Sequence, residues 1–226
     1  MSSNPPALLI DTLLAGIQSA HKDPACTGID LAGSKRRSTG ICGLTGRNAV
    51  LSLAQSDDEI LRHVDAAASG LVAIDSSLGL PAGRCCAEDT CACRKYGIMR
   101  ECERVLRKRG IRVYPTLIKS MQKLTLRGIH IASILREQGY EVIESYPGAI
   151  QDILSIPRKK ADPARLMDEL EKTGTRIFAR NERITHDELD ALTAALGGYF
   201  YLAGWYEAFG NAEEGYLILP DPAMLP

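Results

Sequence analysis

Cys26-Thr27-Gly28-Ile29-Asp30-Leu31-Ala32-Gly33-Ser34 is the stretch on which the reading of this chain turns. A strand-forming run, Cys26 to Leu31, carries an acid near its end and passes into a glycine-serine bend. The pattern continues downstream. Ser34 to Arg37 make a polar turn, Thr39 to Leu44 read as a second strand, Thr45 to Asn48 make another turn, and Ala49 to Ala54 read as a third strand. Connections this short predict an antiparallel three-strand meander.

Further out, Ser56-Asp57-Asp58-Glu59 has the Ser-x-x-Glu form of a capping box and opens a helix that ends near Gly70. Leu71-Val72-Ala73-Ile74-Asp75 follows directly. Its nearly continuous apolar character predicts a central strand covered on both faces, with Asp75 at its exposed end. Residues 79–112 interrupt the pattern, because Gly79, Pro81, Gly83 and closely set cysteines bar a regular element before a helix from Met99 to Arg109. This segment reads as an insertion. After Tyr114-Pro115-Thr116 a helical stretch reaches Gln138, Gly139 stops it, and Tyr140 to Ser145 form a fifth strand ended by Pro147-Gly148. A charged helical region spans Pro163 to Lys172, the longest apolar helix starts at Thr185 and is expected to reach about Ala208, and Tyr216 to Leu219 read as a short added strand. Residues 7–20 suggest an amphipathic helix, so the expected organisation is an N-terminal helical extension, 1–22, and one domain, 23–226, with the insertion inside it.

A chain of 226 residues, 45% hydrophobic and 24% charged, matches one sizeable globular domain. The apolar stretch Ala7 to Ile17 is interrupted by Asp11, is too short to span a bilayer and lacks the flanks of a signal peptide. A cytoplasmic protein with no membrane partner is expected. Its seven cysteines, an odd number in a reducing compartment, are expected to be free or metal-bound. The net charge of −1 conceals an asymmetry: residues 84–127 carry twelve Lys and Arg against four Asp and Glu, a local excess of +8 that leaves the remainder near −9. Such a basic segment suits either a phosphate backbone or a solvated surface.

Four carboxylates stand out. Asp30 and Asp75 each close a strand-type run, while Asp187 and Asp190 open the alanine-rich helix, and acids gathered at one point repel unless a cation lies between them. Each also has a simpler use: Asp30 in a turn, Asp75 capping the Ser76-Ser77 bend, and Asp187 within Thr185-His186-Asp187-Glu188, a second capping box. Asp190 lies one turn further in, and positions 190, 194, 197 and 201 form a face reading Asp-Ala-Gly-Tyr, small enough for close approach to a sheet. Glu144, at the end of the fifth strand, is a candidate additional ligand or base. His186, four residues before Asp190, is a candidate for substrate contact, as are Lys35, Arg36 and Arg37 in the turn after Asp30. Arg100, Arg104, Arg107 and Lys108 form one charged helical stripe; with no aromatic stacking platform beside it, contact with the nucleic-acid backbone rather than the bases is expected. Cys85, Cys86, Cys91, Cys93 and Cys102 offer a structural Zn²⁺ site, although adjacent cysteines and a C-x-C pair are not the usual knuckle spacing. Cys26 and Cys42 read as core.

Three antiparallel strands, a helix, a strand, a helix, a strand and a terminal helix is the element order of the RNase H-like fold. The expected class is therefore α/β, with a mixed five-stranded sheet (the meander plus two parallel strands) flanked by helices and carrying a Cys-rich basic insertion. Gly28-Ile29-Asp30-Leu31-Ala32-Gly33-Ser34, Ala73-Ile74-Asp75, Cys102-Glu103-Arg104 with Arg109-Gly110-Ile111, Glu144-Ser145-Tyr146-Pro147 and His186-Asp187-Glu188-Leu189-Asp190-Ala191 resemble the uncharacterised family "domain of unknown function 429". Its members are predicted nucleases of the RuvC-like superfamily. The resemblance spans residues 25–220 and implies one Asp on the first strand, one acid on the fourth and one or two on the last helix, around two Mg²⁺ or Mn²⁺ ions. Asp30, Asp75, Asp187 and Asp190 occupy those positions, and ions about 3.5 to 4 Å apart can activate water and stabilise the leaving oxygen. Metal-assisted hydrolysis of phosphodiester bonds in DNA or RNA is the activity implied. The alternative is a non-catalytic nucleic-acid-binding protein that uses the basic Cys-rich insertion.

Overall fold

The computed structural model describes residues 9–17, 24–34, 36–158, 163–180 and 183–225. Strands β1 (Ala25–Asp30), β2 (Thr39–Thr45) and β3 (Asn48–Ala54) form the antiparallel meander, with Gly28 opposite Cys42 and Asp30 opposite Gly40. Helix α2 (Asp57–Ala67) begins where the capping box places it: the Ser56 hydroxyl accepts from the Glu59 N–H at 3.2 Å, and the Glu59 carboxylate accepts from the Gln55 N–H at 2.6 Å. The chain then enters β4 (Leu71–Asp75), which lies parallel to β1 on the side away from β2. Helices α3 (Glu101–Lys108) and α4 (Gln122–Glu137) precede β5 (Glu141–Ser145), parallel to β4.

The sheet has eight strands, not five, in the order β6-β3-β2-β1-β4-β5-β8-β7. Strand β6 (Arg176–Ala179) extends the β3 edge in parallel; it is four residues long and mostly exposed, so it carries no alternating pattern by which sequence could reveal it. At the other edge, β8 (Gly215–Pro220) pairs with β5 and with β7 (Tyr206–Asn211) in a hairpin. The expected long helix is α7 (His186–Leu202), and it stops short of Ala208. Gly204 takes a φ of +73° just past its end, the Trp205 N–H reaches back to the Phe200 carbonyl at 2.9 Å, and the apolar residues that follow belong to β7. An apolar run that continues across a helix end hides the boundary. Pro147-Gly148 does not merely end β5: Pro147 is the first residue of helix α5 (Pro147–Ile153), a favoured position for proline. Helix α6 (Pro163–Lys172) matches the charged helical region, and α1 (Leu9–Gly16) buries Ile10 and Leu13 in the main core.

Alternation along the strands divides the core into two layers. Cys26, Cys42, Leu71, Ala73 and Ile143 pack with α7, α6 and α1, while Ile29, Ile41, Val72, Ile74 and Val142 pack with α2 and α4. No helix among the described residues is long and apolar enough to cross a membrane.

Helix α7 lies on the sheet without side chains between them at two points. A Cβ at Gly28 would come 1.9 Å from the Ala191 carbonyl oxygen, and one at Gly40 would come 2.0 Å from that of Asp187. These glycines are required by close approach, and the order of neighbours fixes direction: Asp187 lies over Gly40, Ala191 and Ala195 over Gly28, and Gly198 over Cys26. Helix α7 thus runs antiparallel to β1, bringing its first turns to the carboxyl end of β1 and β4. Gly28→Ala is expected to destabilise the protein by about 3 kcal/mol or more, at or beyond the upper end of ordinary overpacking, because helix backbone cannot rotate away. Gly70→Ala, where a Cβ meets nothing within 4 Å, is the control for urea denaturation and is expected to stay within about 0.5 kcal/mol of the parent.

Candidate functional site

Parallel pairing of β1 and β4 sets Asp30 directly beside Asp75 in register, and Asp75 beside Ser145 of β5. Both acids are the last residues of their strands. Asp30 shares parity with Cys26 and Gly28, and Asp75 shares parity with Leu71 and Ala73, so both stand on the layer covered by α7. Asp190, one turn inside α7, is only 6% exposed, and its Oδ1 accepts a hydrogen bond from Gln151 Nε2 at 2.8 Å. Gln151 of α5 is itself buried and also donates to Thr193 Oγ1 at 3.3 Å, so the amide fixes the direction of the carboxylate. The capping box at the head of α7 uses Glu188, whose carboxylate accepts from the Thr185 N–H at 2.9 Å. Asp187, half-buried in the same first turn, is not the residue that closes the box.

Asp75 and Asp190 line a cleft of about 960 Å³ to which the last turn of α3 contributes Arg107 and the segment after it Arg112 and Tyr114. Tyr146, Gln151 and Arg158 close its side. The Tyr146 hydroxyl donates to the Arg112 carbonyl at 2.7 Å, which joins the start of α5 to the insertion. Burial pushes the Tyr146 phenol above its usual range, Arg158 opposes the shift and Asp75 adds to it, so the ring stays a neutral hydrogen-bond donor. Arg158 lies over this ring at 5.9 Å and is paired with Asp152 through a 2.6 Å hydrogen bond. Tyr114 is 70% exposed. Folding places two aromatic rings, Tyr114 and Tyr146, in the same lining as Arg107, a juxtaposition that the sequence reading of the basic stripe did not include.

Two buried polar atoms at this end of the sheet have no hydrogen-bond partner among the described residues, Ser145 Oγ and His186 Nδ1. Ser145 ends β5 next to Asp75, and His186 is the first residue of α7. Arg36 and Arg37 are exposed in the turn after β1; Lys35 lies outside the described residues.

Glu144 does not belong with these acids. It shares parity with Val142 and so points to the opposite layer, where it is buried and held by Arg100. Arg100 Nη1 donates to Glu144 Oε2 at 2.8 Å, Nη2 donates to Oε1, and the Leu78 N–H completes the carboxylate at 2.7 Å. The same guanidinium bonds Glu103 at 3.2 Å, Thr116 at 2.9 Å and the Glu214 carbonyl at 3.3 Å. Burial works against the Arg100 charge, but Glu144 outweighs it and raises the pKa further. Arg100 is 1% exposed and precedes α3, so the charged stripe loses its first member to this network.

The thiols also separate. The Sγ atoms of Cys85, Cys86, Cys91 and Cys93 all lie within 4.8 Å of one another, and they could hold a metal such as zinc. Cys102 is not among them, because α3 turns it into an apolar cluster with Leu106, Ile150, Phe209 and Leu217. Cys26 and Cys42 are fully buried core, as expected. Hydrogen bonding with Cys93, Cys91 and Cys86 pushes the Cys85 thiol up to about 12. For Cys93 burial acts upward, but the Cys85 N–H and neighbouring thiols prevail and bring it down to about 6. Among the described residues no other group of three or more His, Cys, Asp or Glu ligand atoms is drawn together this tightly; Asp30 and Asp75 are register neighbours at one end of the sheet, and Asp75 and Asp190 line one cleft. No family model, curated protein or solved structure matches this chain.

Sequence reasoning missed Gln151, Arg112, Tyr114, Tyr146 and Arg158. Reading Pro147 as a helix start would have put Gln151 one turn into a helix beside β5. Since Glu144 is assigned to the Arg100 network, Arg100→Met should cost about 3 to 5 kcal/mol of folding free energy by leaving Glu144 and Glu103 buried and unpaired. Glu144→Gln, measured by the same chemical denaturation, should cost less and should leave divalent-cation binding by the protein unchanged.

Proposed function

We propose that the protein is a divalent-metal-dependent phosphodiester hydrolase acting on nucleic acid, with a fold of the RNase H-like type. The observation that carries this reading is that Asp30 and Asp75 end neighbouring parallel strands in register, and that Asp75 and Asp190 line one cleft together with Arg107, Arg112, Arg158, Tyr114 and Tyr146. The central strand order β3-β2-β1-β4-β5, with β2 antiparallel to its neighbours, agrees with that fold type, and β6, β7 and β8 are additions at the two edges. Fold alone does not specify chemistry, so the reading rests on the site.

The donors suit the chemistry. Carboxylate oxygens favour hard cations, so Asp30, Asp75 and Asp190, with Asp187 as a fourth candidate, would hold Mg²⁺ or Mn²⁺. Such ions supply activation of water and neutralisation of developing charge at phosphorus and the leaving oxygen. The protein's own residues do the rest. Gln151 fixes the orientation of Asp190, Arg107, Arg112 and Arg158 attract and position phosphates, and Tyr114 offers an exposed ring to an unstacked base. Ser145 Oγ and His186 Nδ1 supply buried polar atoms that a bound substrate or its water can satisfy. A second reading, nucleic-acid binding without cleavage, is favoured by the arginines that line the cleft, Arg107, Arg112 and Arg158.

Purified protein incubated with Mg²⁺ or Mn²⁺ and a panel of single-stranded, duplex and branched DNA and RNA is expected to cleave at least one member. Asp30→Asn, Asp75→Asn and Asp190→Asn should each reduce the rate by about 100-fold or more, the scale of losing a principal electrostatic group. An inert wild type that still binds, with affinity untouched by Asp30→Asn, would establish the second reading instead. In either case Arg107→Gln combined with Arg112→Gln should flatten the plot of log affinity against log salt by about 0.7 to 0.9 for each phosphate that the variant no longer neutralises.

A further inference from the structure

Between the end of β4 at Asp75 and the start of α3 at Glu101 the only regular element is a short 3₁₀ turn, Ala92–Tyr96. Irregular segments of this length are uncommon within a compact domain, and this one contributes few side chains to the core, chiefly Ala87 and Cys93. It is nevertheless built rather than draped. The Arg84 guanidinium, 7% exposed, donates to three carbonyls of the same segment: Cys86 at 3.1 Å, Gly97 at 3.2 Å and Glu88 at 3.2 Å. Gly83 and Gly97, with φ of +78° and +89°, turn the chain at either end. Folded between those turns are the four thiols.

Their spacing suits a tetrahedral ion. Cys85 and Cys91 Sγ are 3.8 Å apart, and Cys86 and Cys93 Sγ are 3.7 Å apart. Four thiolates around a tetrahedral ion at about 2.3 Å have sulfur–sulfur edges of about 3.8 Å, whereas a disulfide holds its sulfurs at about 2.05 Å. Both measured separations fall on the tetrahedral edge. The sequence spacing C-C-x₄-C-x-C is not the familiar knuckle, but spacing matters only through the geometry it yields.

We propose that Cys85, Cys86, Cys91 and Cys93 hold a resident structural Zn²⁺ ion in a closed tetrathiolate site that orders residues 84–97. Four protein ligands leave no open position for water or substrate, so the site is structural and not catalytic. The ion stands in for the core this segment lacks, since metal binding to such a loop is folding free energy. The segment runs directly into Arg100 and α3, and from there to the Arg107–Tyr114 wall of the acidic cleft. The protein thereby keeps two donor sets of opposite character, sulfur in the insertion and oxygen at the sheet, which select different metals. This assignment does not depend on the proposed hydrolase activity.

Full-length protein expressed with zinc available and purified under reducing, chelator-free conditions should contain one zinc ion per chain by elemental mass spectrometry. A thiol-specific mercurial should release that zinc in step with modification of the four thiolates, followed with a chromophoric chelator. Replacement by Co²⁺ should give the intense visible bands of a tetrahedral tetrathiolate complex. Cys86→Ser with Cys93→Ser should lose the metal, while Cys102→Ser should keep it; the mercurial and cobalt measurements use the parent protein and hold even where the double variant does not fold. Metal-free protein with four freely reactive thiols and no cobalt bands would overturn the proposal. So would iron in place of zinc, or Cys85–Cys91 and Cys86–Cys93 disulfides in protein purified under these conditions.

Discussion

The backbone-to-backbone approach of α7 to β1 and β2 is the constraint on which the rest of this structure depends. Only glycine at positions 28 and 40 lets helix carbonyls reach the strands, and that depth sets where the first turns of α7 fall. Asp190 is buried at the carboxyl end of the sheet because the helix lies so close. Asp30 and Asp75 stand at the same end because parallel strands end in register and alternation turns both acids to the α7 layer. The same alternation sends Glu144 to the other layer, so one residue of parity separates a candidate cation ligand from the buried partner of an arginine.

That arginine organises the second half of the molecule. Arg100 collects Glu144 of β5, Glu103 of α3, Thr116 of the following turn and the Glu214 carbonyl beside β8, and so fastens the insertion to the sheet at one buried point. A buried charge of this kind is tolerated because each of its neighbours is a strong acceptor. The insertion is thus held at its base by the ion network and carries the four clustered thiols within its loop, and the chain from α3 onward delivers Arg107, Arg112 and Tyr114 to the cleft. A segment that reads as an interruption of the fold supplies one wall of the site.

Much of the centre was legible in sequence. The meander, the Ser56 capping box and the apolar strand ending in Asp75 follow from short-range rules of turns, caps and periodicity, and the structure has them. Helix α7, by contrast, approaches β1 and β2 through Asp187, Ala191, Ala195 and Gly198 rather than through the 190, 194, 197 and 201 face, whose Gly197 lies against Ile150 and Ser145. The edges were not legible. Strand β6 is short and exposed, and β7 continues an apolar run that only Gly204 interrupts, so neither carries a local signature. For the site the division is similar: acids at strand and helix ends announce themselves, whereas Gln151, Tyr146 and Arg158 acquire their roles only when α5 folds against α7. Cys102 and Arg100 were misplaced for one reason. Composition groups residues near in sequence, and burial on α3 and before it separates them.

The central claim is that the three carboxylates jointly hold a divalent cation. Anomalous scattering from a crystal soaked in Mn²⁺ tests it most directly. The account predicts manganese peaks coordinated by Asp30, Asp75 and Asp190 at the mouth of the cleft, with Glu144 still bonded to Arg100. Manganese absent from these oxygens under saturating conditions, with Asp30 and Asp75 at their present spacing, would contradict it.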